Sequence, residues 1–324
     1  MKPKILITRQ VFPEIVAALS QHFDVDHNES DNIFSAETLR ERARDCVGVM
    51  ACLTEKIDAA FFAACPSVKA VCNIAVGYNN LDVAEATRRG VKLTNTPGVL
   101  DDTTADLTFA LLMATARRIT ETEARLRRGE WKKGFALQQW LGCDIHHASL
   151  GIIGMGRIGQ TIARRALGFE MNTRYYNRSR IDAAKESALK ATYASKEEIL
   201  SQSDFVVVMV PYSMDTHHLI GADDIARMKP TAILINSARG GVVDDAALIA
   251  ALKQKRIAGA GLDVFENEPA FNRDYLDLEN VVLTPHIGSA TRATRMAMAN
   301  LAATNLTAAL TGGTPPSLLN PAVL

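Results

Sequence analysis

At 324 residues the chain is long enough for two domains with cores of their own, and 48% hydrophobic with 22% charged side chains is the balance of a soluble globular protein. Its 36 basic and 36 acidic side chains cancel and no basic stripe stands out, which argues against nucleic acid as a partner. Cys46, Cys52, Cys65, Cys72 and Cys143 form no C-x-x-C pair, so neither a disulfide framework nor a metal site is expected; reduced thiols suit the cytoplasm, and no stretch reads as a signal peptide or a membrane span.

The runs 4–8, 23–27, 47–51, 68–73 and 91–96 are rich in branched aliphatics and read as strands. Between them, 14–21, 36–44, 59–64 and 83–89 have helical spacing, with Pro13 suited to a first turn and Gly90 to a C-terminal cap. Strands alternating with helices predict a parallel sheet covered on both faces. No glycine-rich loop follows the first strand. Thr96-Pro97-Gly98 breaks the pattern. From Asp101 or Asp102 a long helix is expected through Arg118, with Phe109, Leu112 and Met113 on its apolar face, followed by an irregular connection over 131–147.

The alternation then resumes, with strands expected at 150–153, 173–176, 205–209, 232–235, 259–262 and 281–283. Ser195 and Glu198 form a capping box, Asp244 or Asp245 caps 246–253, and Thr291–Leu310 reads as one last long helix before a loose tail from Gly312. That helix is expected to return to the first domain. The division predicted is 1–98 plus 288–324 for one domain and 99–287 for the other, with a hinge and a cleft between them.

The stretch Ser149 to Gly159 organises the chain. Leu150, Ile152 and Ile153 read as a buried strand. Gly154, Gly156 and Gly159 have the G-x-G-x-x-G spacing, and Gln160–Leu167 reads as the helix after it. Such glycines serve a tight turn, close approach of a pyrophosphate to bare backbone, and close helix–strand packing. The helix N-terminus offers unpaired N–H groups to the phosphates. Between strand and helix, the motif points to a dinucleotide-binding Rossmann domain. In NAD-binding folds an acid ends the second strand and holds the ribose 2′-hydroxyl. Here Asn177 stands at that place, 18 residues after Gly159, followed by Arg178, Ser179 and Arg180. A neutral side chain beside two arginines favours a 2′-phosphate, so NADPH is expected over NADH.

Three further segments carry ionisable side chains at the C-terminal ends of expected strands, the edge where ligands bind in open α/β sheets. They hold Arg239, the pair Glu266 and Glu268, and His286. Together they suit reduction of a 2-keto acid. Arg239 would hold the carboxylate or polarise the ketone, and His286 would donate the proton as hydride arrives. Glu268 would favour the imidazolium, since an adjacent carboxylate raises a histidine's pKa. Taken singly, each also reads as an ordinary loop or surface residue.

With these residues in order, the chain resembles the D-isomer-specific 2-hydroxyacid dehydrogenases over nearly its whole length. The resemblance rests on Val76-Gly77-Tyr78-Asn79-Asn80, the Gly154–Gly159 loop, Asn236-Ser-Ala-Arg239-Gly, Gly261-Leu-Asp-Val-Phe-Glu266-Asn-Glu268-Pro and Pro285-His286-Ile-Gly-Ser. Asp144-Ile-His-His147 and Asn177-Arg-Ser-Arg180 are similar to the glyoxylate/hydroxypyruvate reductase group, which includes 2-ketogluconate reductases. The resemblance implies two doubly wound α/β domains, a Rossmann cofactor domain inserted into a flavodoxin-like substrate domain, and a homodimer. It implies Arg239, Glu268 and His286 as the catalytic set. It places backbone N–H groups of Val76 and Gly77 on the substrate carboxylate and Leu53 over the substrate. Trp140 is similar to a tryptophan lent by a partner subunit, and reads equally well as a core or interface aromatic. The cofactor set so implied is Gly154, Met155, Gly156, Arg157, Ile158 and Gly159, then Asn177, Arg178, Ser179 and Arg180. Later strand ends add Val210, Pro211, Thr216, Ser237, Ala238, Arg239, Asp263, His286 and Gly288. The expected substrate is glyoxylate, hydroxypyruvate or 2-ketogluconate. A D-3-phosphoglycerate dehydrogenase, or a dinucleotide-sensing corepressor without catalytic function, fits the same fold.

Overall fold

The structure, a computed structural model, describes residues 1–324. It divides into two compact units, one formed by Met1–Leu100 with Ala290–Leu324 and the other by Asp101–Ser289. These exchange points lie two residues beyond the boundaries read from the sequence, and the first coincides with Asp101, where a helix begins.

In the first unit, strands β1 (Lys4–Ile7), β2 (Asp24–His27), β3 (Gly48–Ala51), β4 (Ala70–Asn73) and β5 (Lys92–Thr94) form one sheet in the order β2-β1-β3-β4-β5. All four pairings are parallel. The strand order reverses between β1 and β3, which makes their C-terminal ends the switch point of this sheet. Central strands of a parallel sheet are covered on both faces, hence the apolar runs Ile5-Leu6-Ile7 and Val49-Met50. Leu6, Val49 and Val71 pack with Leu39, Phe61 and Phe62 on one face. Ile5, Ile7, Met50 and Cys72 pack on the other with Ile15, Leu19 and the stripe Ala299, Ala302 and Leu306 of the last helix, Arg292–Leu310. That helix runs close to β3: a Cβ on Gly48 would lie 2.9 Å from Leu306 Cδ1.

The tail departs from its expected looseness. Leu318 bridges Thr94, the Leu319 N–H donates to Leu93 O (2.8 Å), and buried Asn320 accepts from Leu93 N (2.9 Å) and donates to Val91 O (2.8 Å). β5 is an edge strand whose backbone groups need partners, and the tail supplies them, each bond worth about 1 kcal/mol net.

The second unit holds β6 (Ser149–Ile153), β7 (Asn172–Tyr176), β8 (Ala191–Tyr193), β9 (Phe205–Val208), β10 (Ile233–Asn236), β11 (Gly259–Leu262) and β12 (Val281–Leu283). They form a wholly parallel sheet in the order β12-β11-β10-β9-β6-β7-β8, with the switch point between β6 and β9. Its two faces are covered by helices Lys196–Gln202, Ala222–Arg227 and Asp245–Lys253 on one side and Asp101–Ala116 and Arg157–Leu167 on the other.

Here too the structure amends the expected elements. The helix from Asp101 stops at Ala116, and Arg118 turns into the left-handed region (φ 52°), pairing with Glu121. A separate helix, Ile119–Arg127, follows; it buries no residue, so no apolar periodicity announces it. The three-residue strand β8 and helices Ala183–Leu189 and Ala222–Arg227 are likewise short enough to escape pattern reading. The helix after the glycine turn begins at Arg157, not Gln160, with Gly156 as its N-cap.

Candidate active site

The switch point of the second unit is built by glycine geometry. Gly154 has φ +108°, a conformation other residues rarely adopt, and a Cβ there would lie 2.3 Å from Met209 O. A Cβ on Gly159 would lie 2.2 Å from Gly154 O, so helix and turn meet backbone to backbone. Gly156 instead faces open space, and no side chain caps the helix it opens. The first N–H groups of Arg157–Leu167 are therefore available to an anion, with the dipole favouring it. An uncapped helix and a bare turn that a side chain would fill suit a pyrophosphate, so the residues present fit a dinucleotide.

At the end of β7, Asn177 Oδ1 accepts from Met155 N (2.7 Å). Its amide thus pins the turn instead of presenting a carboxylate outward. Arg178 and Ser179 are exposed, and Arg178 has no partner in the chain. Arg180 differs from expectation. It is committed to Glu186 (2.6 Å), which also accepts from the buried Tyr175 hydroxyl (2.5 Å). Arg180 and Tyr175 hold the Glu186 carboxyl down at about 2. Arg180 Nε and Nη2 are both engaged by Glu186, so of the two arginines only Arg178 has every donor uncommitted.

The loop after β9 carries Val210, Pro211 and Thr216. Thr216 closes its own turn: its hydroxyl accepts from Ser213 N (2.7 Å) and donates to Pro211 O (2.8 Å). It stands as a loop staple, while Val210 packs beside Gly154.

Arg239 follows β10. Asn236 shapes this turn, accepting from Ala238 N (3.1 Å) and donating to Arg239 O (3.1 Å), while Ser237 pairs with Thr108 (2.6 Å). Arg239 Nη1 donates to Ala238 O (2.6 Å), but its buried Nε has no partner. Burial pushes the guanidinium down from its usual range, and the charge that opposes this is Glu268. A buried cationic donor left unpaired is a place where an acceptor from outside the chain belongs.

The loops after β11 and β12 bring the acid and the imidazole together. Glu268 Oε1 accepts from Phe265 N (2.7 Å), which fixes the carboxylate, and Oε2 lies 2.7 Å from His286 Nδ1. The Nε2 of His286 is the ring nitrogen left uncommitted. A ring anchored at one nitrogen and free at the other is the arrangement of a general acid. Asp263 lies beneath. Its buried carboxylate accepts from Thr284 Oγ1 (2.7 Å), Ile287 N (2.8 Å) and Gly288 N (2.8 Å), and its backbone O accepts from His286 N (2.9 Å). Burial raises its pKa while these donors oppose the shift. Asp263 thus holds the loop in which His286 takes φ 53°.

Glu266 separates from Glu268. It pairs with His218 Nε2 (2.6 Å), and its N–H donates to Asp245 Oδ2 (3.0 Å). His218 carries one signal in the sequence, the histidine pair His217-His218 just past Thr216 in the loop after β9. Trp140 lies half-buried in the irregular segment before β6 with φ 54°, and no hydrogen bond or ring contact joins it to Arg239, Glu268 or His286. The cavity lined by Cys143, Asp144, His146, His147 and Asp204 lies at the opposite, N-terminal edge of the sheet.

In the first unit, Leu53 is half-buried in the loop after β3, and Val76 and Gly77 lie in the loop after β4. The N–H groups of Val76 and Gly77 donate to nothing in the chain.

Comparison with known proteins places the chain in a family. Residues 109–288 match the family model of the D-isomer specific 2-hydroxyacid dehydrogenase, NAD binding domain. The chain is 50% identical over 327 residues to a glyoxylate reductase of Thermococcus gammatolerans, covering 100% of this chain and 98% of the relative. To the glyoxylate reductase of Pyrococcus furiosus it is 49% identical, covering 100% and 97%. A crystal structure of an NADPH-dependent glyoxylate/hydroxypyruvate reductase from Sinorhizobium meliloti, in complex with NADP and malonate, superposes with a TM-score of 0.88 at 34% identity, covering 99% of this chain and 98% of that one. The chain belongs to the D-isomer specific 2-hydroxyacid dehydrogenase family. It is an oxidoreductase of 2-keto and 2-hydroxy acids with a nicotinamide dinucleotide as cofactor.

Proposed function

We propose that this protein is an NADPH-preferring reductase of small 2-keto acids, glyoxylate and hydroxypyruvate before 2-ketogluconate, forming the D-2-hydroxy acid. The observation that carries the reading is the Glu268–His286 pair, with Nε2 uncommitted, on the same sheet edge as the unpaired Nε of Arg239. Gly154 to Gly159 and the uncapped helix would hold the pyrophosphate, and Arg178 with Ser179 the 2′-phosphate. Bound reduced nicotinamide supplies hydride. Arg239 binds and polarises the keto acid, and the Val76 and Gly77 N–H groups take its carboxylate. His286 delivers the proton from Nε2 to the developing alkoxide oxygen, and Glu268 keeps the ring oriented throughout. The names of the relatives in Thermococcus, Pyrococcus and Sinorhizobium support this choice of substrate.

We further propose a homodimer in the cytoplasm. Leu126, Trp131, Phe135, Leu137 and Leu141 are exposed within one short span, an apolar group of the kind that a second copy covers. Five free thiols suit a reducing compartment. The functional test is absorbance at about 340 nm, where reduced nicotinamide is the chromophore. Each cofactor is run with glyoxylate, hydroxypyruvate and 2-ketogluconate. The expected result is a higher kcat/KM with NADPH and the highest with a two- or three-carbon keto acid; equal use of NADH removes the assignment to Arg178.

A further inference from the structure

The C-terminal edge of the first unit holds a buried polar relay that the catalytic reading does not use. Glu55 is only 2% exposed, yet it is a carboxylate at the switch point of its sheet. Its Oε2 accepts from Thr8 Oγ1 at the end of β1 (2.8 Å) and from Cys52 N after β3 (2.8 Å). Its Oε1 accepts from Thr54 Oγ1 (2.7 Å). Three donors and no acceptor surround it, which is how a buried carboxylate is satisfied. The loop that carries Leu53 is thereby held on both sides of that residue.

Asn80 joins this loop to the next. Its Nδ2 donates to Cys52 O (2.9 Å) and Glu55 O (3.0 Å). Its Oδ1 accepts from Asn73 Nδ2 (3.2 Å), and the same Asn73 amide donates to Gly77 O (2.8 Å). From the segment just after β5, Asn95 Nδ2 donates to Val76 O (2.8 Å), and Thr96 N donates to Ala75 O (2.9 Å). Three successive carbonyls, of Ala75, Val76 and Gly77, are thus each tied to the body of the unit. In a trans peptide the N–H points opposite to the C=O. Tying those carbonyls inward aims the N–H groups of Val76, Gly77 and Tyr78 away from the relay, and none of the three has a partner in the chain. Successive free N–H groups aimed outward make an anion cradle.

We propose that Asn80 is a positioning residue for substrate binding: with Asn73 and Glu55 it locks the Leu53 loop and the peptide cradle into one rigid anion-binding edge selective for the carboxylate of a short 2-keto acid. The assignment rests on the function proposed above. The neutral amides aim the cradle without placing another formal charge beside the substrate. Rigidity sets selectivity, since a cradle fixed relative to Leu53 admits a short chain and resists a longer one.

The test uses two uncharged variants of the whole protein, Asn80→Ala and the milder Thr8→Val, which removes one donor from Glu55. Asn80→Ala is expected to raise KM for glyoxylate about tenfold with kcat nearly unchanged, the pattern of lost uniform binding. The inhibition constant of oxalate, a two-carbon dianion probe, rises in parallel, and the NADPH dissociation constant measured by fluorescence stays put. The preference for glyoxylate over hydroxypyruvate narrows. Thr8→Val shifts the same quantities in the same direction by about two- to threefold, as one lost hydrogen bond implies. Unchanged KM in both variants overturns the proposal. So does a joint decline of kcat, substrate KM and NADPH affinity, which marks a residue serving stability alone. A wild-type protein that reduces no 2-keto acid removes the functional reading itself, and the relay's purpose with it.

Discussion

Both units wind a parallel sheet on two faces, and both expose loops at a switch point, yet the two edges are furnished differently. The second unit's edge carries ionisable side chains: Arg239 with an unpaired Nε, and Glu268 against His286. The first unit's edge carries peptide N–H groups and neutral amides, with its single buried carboxylate turned inward on Thr8, Cys52 and Thr54. The turn after β6 is Gly-rich and opens an uncapped helix, whereas the corresponding helix of the first unit begins with Pro13 after Phe12. Under the function proposed above, one fold supports two tasks, because the sheet supplies only the place and the loops supply the chemistry. The difference is physical: proton transfer needs a titratable group, but gripping a carboxylate needs only aimed donors.

The contrast is broken most severely at His286. His286→Ala is expected to lower kcat by about 10³-fold, the scale of a lost general acid, with NADPH affinity nearly unchanged. Stopped-flow turnover and fluorescence titration measure the two quantities; normal turnover takes the imidazole out of the mechanism. At the other edge the equivalent injury is to the backbone. Gly77→Pro removes one N–H and no side-chain function, and KM for glyoxylate should rise about 30-fold, as expected for a hydrogen bond to a charged group, with kcat less affected. Steady-state kinetics decide it. If the two substitutions produce the same kinetic pattern, the division of labour between the edges is wrong. The smallest effect is expected at Arg178, which is exposed and so screened by solvent. Arg178→Asp should raise KM for NADPH about tenfold and leave NADH within about twofold. A parallel rise for both cofactors would place Arg178 in loop stability.

Much of this was legible before any coordinates. The glycine spacing at 154–159, the strand runs on either side of it, the capping box at Ser195 and the order Arg239, Glu268, His286 are local patterns, and local patterns are written in consecutive residues. The short or wholly polar elements, such as Ile119–Arg127, were not legible, because a helix that buries nothing leaves no periodic trace. Nor was the fate of the tail, whose role depends on an edge strand more than 200 residues away in the chain. The same holds for the ion pair of Arg180 with Glu186, which the Tyr175 hydroxyl shares and no local pattern announces.

The sequence by itself determined the fold class and the glycine turn, and it named the residues proposed here for acid–base work, because glycine conformation, hydrophobic period and side-chain chemistry act over a few residues. Only the tertiary structure decided which glutamate meets which histidine, Glu268 with His286 and Glu266 with His218, and which amides aim the peptides at Val76 and Gly77. Those choices depend on loops from different strands arriving at one sheet edge, and hydrogen bonds of 2.6–2.8 Å form only once that edge exists.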